Sequence, residues 1–252
     1  LIMIIFTKNT PMHLIALALA PIIAIMWFVY FKDKYDREPI KHILISFILG
    51  CFSVIPAIIL EYSLGAVYPE NTLNVLTTAI WAFIIVALSE EFSKYIMLHW
   101  YAFRQKEFDE PFDGIVYGVM VSLGFAAVEN IFYVMDGGIS VGLLRMLTAV
   151  PAHASFGVIM GYYFGLAWQH KDQAWKYKLR GLLSATALHG AYDFFLMQTY
   201  YPAFALISFI GLFIAIKLSF KAIKAHQNRS PFHPDILAQK ALEEEVWQKD
   251  IH

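Results

Sequence analysis

The sequence predicts an all-α, polytopic membrane bundle of about seven transmembrane helices, and three observations carry that prediction. Of the 252 residues, 59% are hydrophobic and 15% charged, against about 45–50% and about 25% in soluble domains, and the mean hydropathy is +0.56. Apolar runs near the roughly 20 residues needed to cross a bilayer core recur along the chain. Lys and Arg alternate between successive connections, the pattern that sets membrane orientation.

The runs cover about residues 12–31, 43–63, 76–101, 114–135, 143–168, 179–198 and 202–220, and the third and sixth contain charges. After the first run, Lys32, Lys34, Arg37 and Lys41 mark a cytoplasmic connection. Arg104 and Lys106 mark the next such connection, and Lys171, Lys176, Lys178 and Arg180 the one after it. Lys221, Lys224, Arg229, Lys240 and Lys249 lie in the tail. The alternate connections, around 64–75, 136–142 and 199–201, carry no Lys or Arg, with only Lys8 and Arg145 against the pattern. Seven spans then place the N-terminus outside and the C-terminus in the cytoplasm. The connections are short, so residues 1–252 read as one membrane-embedded domain, with 225–252 a cytoplasmic amphipathic or flexible tail. Within that tail Pro234–His252 reads as a short helix capped by Asp235, with Ile236, Leu237, Leu242, Val246 and Trp247 as its apolar positions. The chain opens on Leu1, and no small-residue cleavage site follows the first run, so no cleavable signal is expected. The single Cys51 excludes a disulfide framework, and a net charge of −1 gives no footprint for nucleic acid.

An ionisable side chain near the bilayer centre costs on the order of 2.5–3.5 kcal/mol on insertion scales, yet four consecutive spans carry several. The third holds Ser89-Glu90-Glu91-Phe92-Ser93-Lys94, the fourth Phe125 to Glu129-Asn130, the fifth Pro151-Ala-His153-Ala-Ser155, and the sixth His189-Gly-Ala-Tyr-Asp193. They must face inward, pair, or line a wet cavity. Glu90 and Lys94 share a face at i,i+4, Glu91 reaches Lys94 at i+3, and His189 and Asp193 share a face, so the aspartate can fix the imidazole tautomer. Straight, unshifted helices would spread these groups over roughly 10–15 Å of depth, with Glu90 inward and Glu129 and Asp193 outward.

Peptide hydrolysis needs an activated water, oxyanion stabilisation and a proton for the leaving amine. Glu90 suits the general base, and His189 oriented by Asp193 suits the oxyanion. His153 can act likewise from the facing helix, and Glu129 can hold a water or a histidine. Zinc is the chemical rival, with Glu129, His153, His189 and Asp193 as ligands, although no HExxH motif occurs. For Glu90–Lys94 alone, a structural ion pair explains the residues equally well.

Three motifs in order on successive helices, Glu90-Glu91-Phe-Ser-Lys94 (EExxK), Phe125-Ala-Ala-Val-Glu129 (FxxxE) and His189-Gly-Ala-Tyr-Asp193 (HxxxD), resemble those of the PrsW family within the wider superfamily of CAAX prenyl proteases and bacteriocin-processing enzymes. The loop Lys32 to Pro39 is similar to that family's opening region, and the resemblance runs from about residue 12 to 220. It implies a protease of the bacterial cell membrane that makes the first cut in a single-pass anti-sigma factor, on the extracytoplasmic side. It also implies a glutamate-activated water with no cofactor favoured. Glu90, Glu91, Glu129, His189 and Asp193 are then catalytic, with Lys94, Asn130 and Phe125 in support. His153 lies outside the motifs and enters on physical grounds alone. The competing functional classes are a proton- or ion-coupled transporter and a non-enzymatic membrane scaffold; no repeated half or paired broken helices favour the transporter.

Overall fold

The computed structural model describes residues 12–70, 74–199 and 202–251, and every regular element among them is helical. Lys8 lies outside the described residues, as do residues 71–73 and 200–201 of the Lys/Arg-free connections. Helix α1 (Met12–Lys32) is followed by α2 (Ile40–Phe52) and α3 (Val54–Val67), which form one rod. The break between them falls at Ser53, whose hydroxyl donates to the Gly50 carbonyl at 2.6 Å and so competes with the helix ladder.

The third span is composite. Helix α4 (Val75–Ile80) is capped by Asn74, whose Oδ1 accepts from the N–H groups of Leu76 and Thr77 at 2.9 and 3.1 Å. A π-helical segment, Trp81–Ala87, joins it to α5 (Leu88–Trp100), which carries Glu90, Glu91 and Lys94. Helix α6 (Pro111–Leu147) opens with Pro111 at its first turn and a reciprocal cap between Glu110 and Asp113. It kinks at Gly138, the one described residue with positive φ (70°).

Helices α7 (Ala149–Gln169), α8 (Ala174–Met197), α9 (Ala205–Gln227) and α10 (Pro234–Ile251) complete the chain. In α10, His233 Nδ1 accepts from the Asp235 N–H at 3.2 Å. The cap is therefore His233, not Asp235 as expected.

Among the described residues, five stretches are long and apolar enough to cross a bilayer. The fourth, Pro111–Gln169, supplies two passes, α6 and α7. Helix α8 is 24 residues long but lies outside these stretches, its polarity raised by Lys176, Lys178 and Arg180 near one end. The expected fifth span, 143–168, is corrected: it begins at Ala149, because residues 139–147 form a separate short helix after the Gly138 kink. Pro151 sits in the first turn of α7, where its missing N–H leaves no carbonyl unpaired, so it causes no kink.

Helix α6 is the hub. Gly114 and Gly118 on α6 meet Gly157, Gly161 and Gly165 on α7 backbone to backbone; a Cβ on Gly118 would lie 2.6 Å from the Gly157 carbonyl oxygen. Small residues at four-residue spacing allow this approach, which substitutes packing for the hydrophobic drive that lipid removes. Val119, Met120 and Leu123 on α6 are fully buried in one apolar cluster, and Leu98 on α5 is fully buried in another.

At the Lys/Arg-rich end a second polar group is packed away from solvent: Asp33, Glu38, Glu110, Asp113 and Tyr117. Asp33 Oδ2 accepts from the Glu38 N–H at 3.1 Å, and the Tyr117 hydroxyl donates to the Glu38 carboxylate. Burial pushes Asp33 up to about 7, Glu38 to about 8 and Glu110 to about 7.

Candidate active site

Helices α5, α6, α7 and α8 turn their titratable residues into one connected network. Lys94 is its hub, 1% exposed. Its ammonium donates to Glu90 Oε2 at 3.0 Å, to Glu91 Oε1 at 2.8 Å and to His153 Nδ1 at 3.4 Å, using all three N–H groups. It also lies 4.0 Å from the centroid of the Phe125 ring, which gives that motif phenylalanine a cation–π role.

His153 Nδ1 accepts from the lysine, so the ring proton sits on Nε2, which donates to Glu129 Oε2 at 2.7 Å. His189 stands between two carboxylates, with Nδ1 2.9 Å from Glu91 Oε1 and Nε2 3.2 Å from Asp193 Oδ2. Both ring nitrogens donate when the ring carries two protons. Glu90 Oε2 lies 4.0 Å from His189 Nε2, and the two imidazole rings are 5.3 Å apart edge to face.

The predicted spread in depth does not occur. The later start of α7 moves His153 outward into register with Glu129. The π-helical turn ahead of α5 resets the phase at which Glu90 and Glu91 enter the bundle. Such turns carry one extra residue within an α-helical frame and are frequent at functional sites. Gly190 admits the Phe83 ring of that segment against α8.

A cavity of about 610 Å³ opens beside this network, mostly walled by apolar side chains. Glu90, Glu129, His153, His189 and Asp193 line it. Glu91 and Lys94 do not; they stand behind Glu90 as its support. Asn130 also stays out. Its Nδ2 donates to the Ala18 carbonyl at 2.8 Å and its Oδ1 accepts from Arg145 Nε at 2.7 Å, so it ties α1 to the cavity rim.

Two residues at the cavity were missed as site residues by sequence reasoning. Arg145, which stood out only as an exception to the charge alternation, pairs with Glu129 at 3.0 Å and stacks on Tyr133. Glu61, inside the apolar run of α3, lines the same cavity. A charged residue within each apolar stretch was the available signal.

The alternative metal set Glu129, His153, His189 and Asp193 is not assembled, since Glu129 pairs with His153 and Asp193 with His189. Among the described residues, the group whose ligand atoms all lie within 4.8 Å of one another is Glu90, Glu91 and His189. Two carboxylates and an imidazole match zinc chemistry with an open position, and Glu91 Oε2 is buried with no hydrogen-bond partner. The residues present therefore fit a metal ion.

Comparison with known proteins gives the family. Residues 38–218 match the family model described as PrsW family intramembrane metalloprotease. The chain is 40% identical over 184 residues to a protein named Protease PrsW from Geobacillus kaustophilus, covering 73% of this chain and 80% of that one. It is 39% identical over 184 residues to the Bacillus subtilis protein of that name (73% and 82%), and 31% identical over 226 residues to the Clostridioides difficile one (87% and 93%). No solved structure matches. A helical bundle with several membrane-crossing helices, a buried Glu–Lys–His network facing one cavity, and these relatives lead to one assignment: the chain belongs to the PrsW family of intramembrane proteases and is a multi-pass membrane peptidase.

Proposed function

We propose that the protein makes the first cut in a single-pass membrane anti-sigma factor, on the extracytoplasmic side, using a water activated by Glu90. The observation that carries the mechanism is that Glu90 is the one member of the Glu90–Glu91–Lys94 cluster that lines the cavity. Lys94 holds its carboxylate from behind at 3.0 Å.

Glu90 accepts a proton from water as the water oxygen bonds to the scissile carbonyl carbon. His189, held through Nδ1 by Glu91 at 2.9 Å, stabilises the oxyanion by turning its Nε2–H from Asp193 to the new oxygen. As the C–N bond breaks, Glu90 returns the proton to the leaving amine. Glu91 and Glu129 act as positioning residues, the first on His189 and Lys94, the second on His153. The arrangement is pre-formed, which lowers the reorganisation cost during reaction.

A second reading is favoured by the unpartnered Glu91 Oε2 and by the family's description as metalloproteases. Glu90, Glu91 and His189 would hold a zinc ion, which when bound supplies Lewis-acid activation of water and carbonyl. Co-expression with a candidate anti-sigma factor and blotting for the truncated product tests the function. Glu90→Gln is expected to abolish the product at unchanged membrane abundance; persistent cleavage would remove Glu90 as base. Purified protein treated with a strong chelator separates the two chemistries, since cleavage that survives with no bound metal by elemental analysis rules out the zinc reading.

A further inference from the structure

Glu61 belongs to no motif and takes no part in the network above. It projects from α3 on the same face as Val54 and Ile58, positions i, i−7 and i−3, and all three line the cavity that His153 and His189 also line. Ile58 beside it is 52% exposed, and Ile59 and Tyr62 on the other faces are 60% and 80% exposed, so Glu61 stands at the open side of the cavity. Among the described residues no hydrogen-bond or ion-pair partner reaches its carboxylate. A carboxylate at this depth with no partner in the protein is costly in its charged form, and a cation bound beside it removes that cost.

Charge around the cavity points the same way. Glu61, Glu90, Glu129 and Asp193 line the cavity with Arg145, His153 and His189, four acidic groups against one permanent cation and two histidines. Lys94 and Arg145 are already committed to Glu90, Glu91 and Glu129. Glu61 is the lining acid that none of these groups pairs, and Val54, Ile58, Val86 and Phe132 are among its apolar companions in the lining.

We infer that Glu61 is a specificity-determining subsite that takes a Lys or Arg side chain of the substrate segment entering the cavity. The inference rests on the protease reading. Within it, the aliphatic stem of the basic residue lies along the apolar wall while its charged head meets Glu61.

The test uses the full chain in nanodiscs, as wild type, Glu61→Gln and Glu61→Lys. The substrates are single-span peptides bearing one Lys, Gln or Glu at successive positions along the extracytoplasmic flank. Wild type is expected to favour Lys over Glu at one position by about tenfold in kcat/KM, the scale of a close charge pair. Glu61→Gln brings that ratio toward one, and Glu61→Lys inverts it in favour of Glu. An identical preference profile in wild type and Glu61→Gln overturns the proposal. If no peptide is cleaved, the protease reading fails on its own, and binding of the same peptides by fluorescence anisotropy still decides this one. A Lys-over-Glu ratio that Glu61→Gln abolishes supports the subsite; equal binding to both proteins, or none, overturns it.

Discussion

Lys94 organises a cavity that its own side chain does not line. Its ammonium is enclosed, and Glu90, Glu91 and His153 consume its three protons. Lys94→Met leaves two carboxylates facing each other without a cation. Removing one partner of a buried ion pair costs about 3–5 kcal/mol, so this variant is expected to lose both cleavage and a large part of its thermal stability in detergent. Glu90→Gln keeps a hydrogen-bond acceptor toward Lys94 and loses only cleavage. Comparing the two melting curves separates support from chemistry. The i,i+3 and i,i+4 pairs within this group were legible in the sequence because helix geometry is local. Links such as His189–Glu91 and Lys94–His153 span 98 and 59 residues and depend on how helices pack, which no spacing rule conveys. Asn130 shows the same limit: it follows Glu129 directly, yet one helical step rotates it out of the cavity toward α1.

At the scale of the element, close helix approach and helix phase decide whether the site assembles. Gly118 faces the α7 backbone, whereas a Cβ added to Gly211 on α9 would meet no atom within 4 Å. Gly118→Val is expected to wedge α6 from α7 at a cost of about 1–3 kcal/mol or more, while Gly211→Ala gains up to about 1 kcal/mol of helix propensity. Thermal unfolding of both variants in one detergent checks the contrast. The glycines were visible in the sequence, but their pairing across two helices was not. The π-helical segment had no readable signature, since Trp81–Ala87 looks like any apolar helix. Inserting one alanine after Leu88, where the regular α-helical frame has resumed, would turn Glu90 by about 100° about the axis relative to the segment before it. Cleavage is then expected to vanish while the protein still inserts, as measured by blotting and membrane fractionation.

For the whole molecule, the all-α membrane bundle and the order of its apolar helices were legible because hydrocarbon thickness imposes a length on every span. The short helix 139–147 was not, because its apolar residues merge with those of the next span and only the Gly138 φ reveals the break. The two buried polar groups lie at different heights, and the one at the Lys/Arg-rich end ties stability to pH. Asp33, Glu38 and Glu110 have folded values raised by burial to about 7, about 8 and about 7. Raised carboxyl values mean that the folded state holds protons the unfolded chain has released. Their stabilisation is therefore full below the ordinary carboxylate range and is lost as pH rises through about 7 to 8. The melting temperature is expected to fall between pH 6 and pH 9, with a shallower slope in Glu38→Gln; an unchanged slope would count against Glu38 as a contributor.

Val119, Met120 and Leu123 lie between those two groups along α6, their side chains fully buried in one apolar cluster. Tyr117 on one side of them and Glu129 on the other are twelve residues apart on α6, about 18 Å along its axis. Hydrolysis on one side of this packing consumes water without opening a conduit for ions. Proteoliposomes carrying the protein should hold an imposed pH gradient as long as empty vesicles do, so a cell can keep this enzyme in an energised membrane without short-circuiting it.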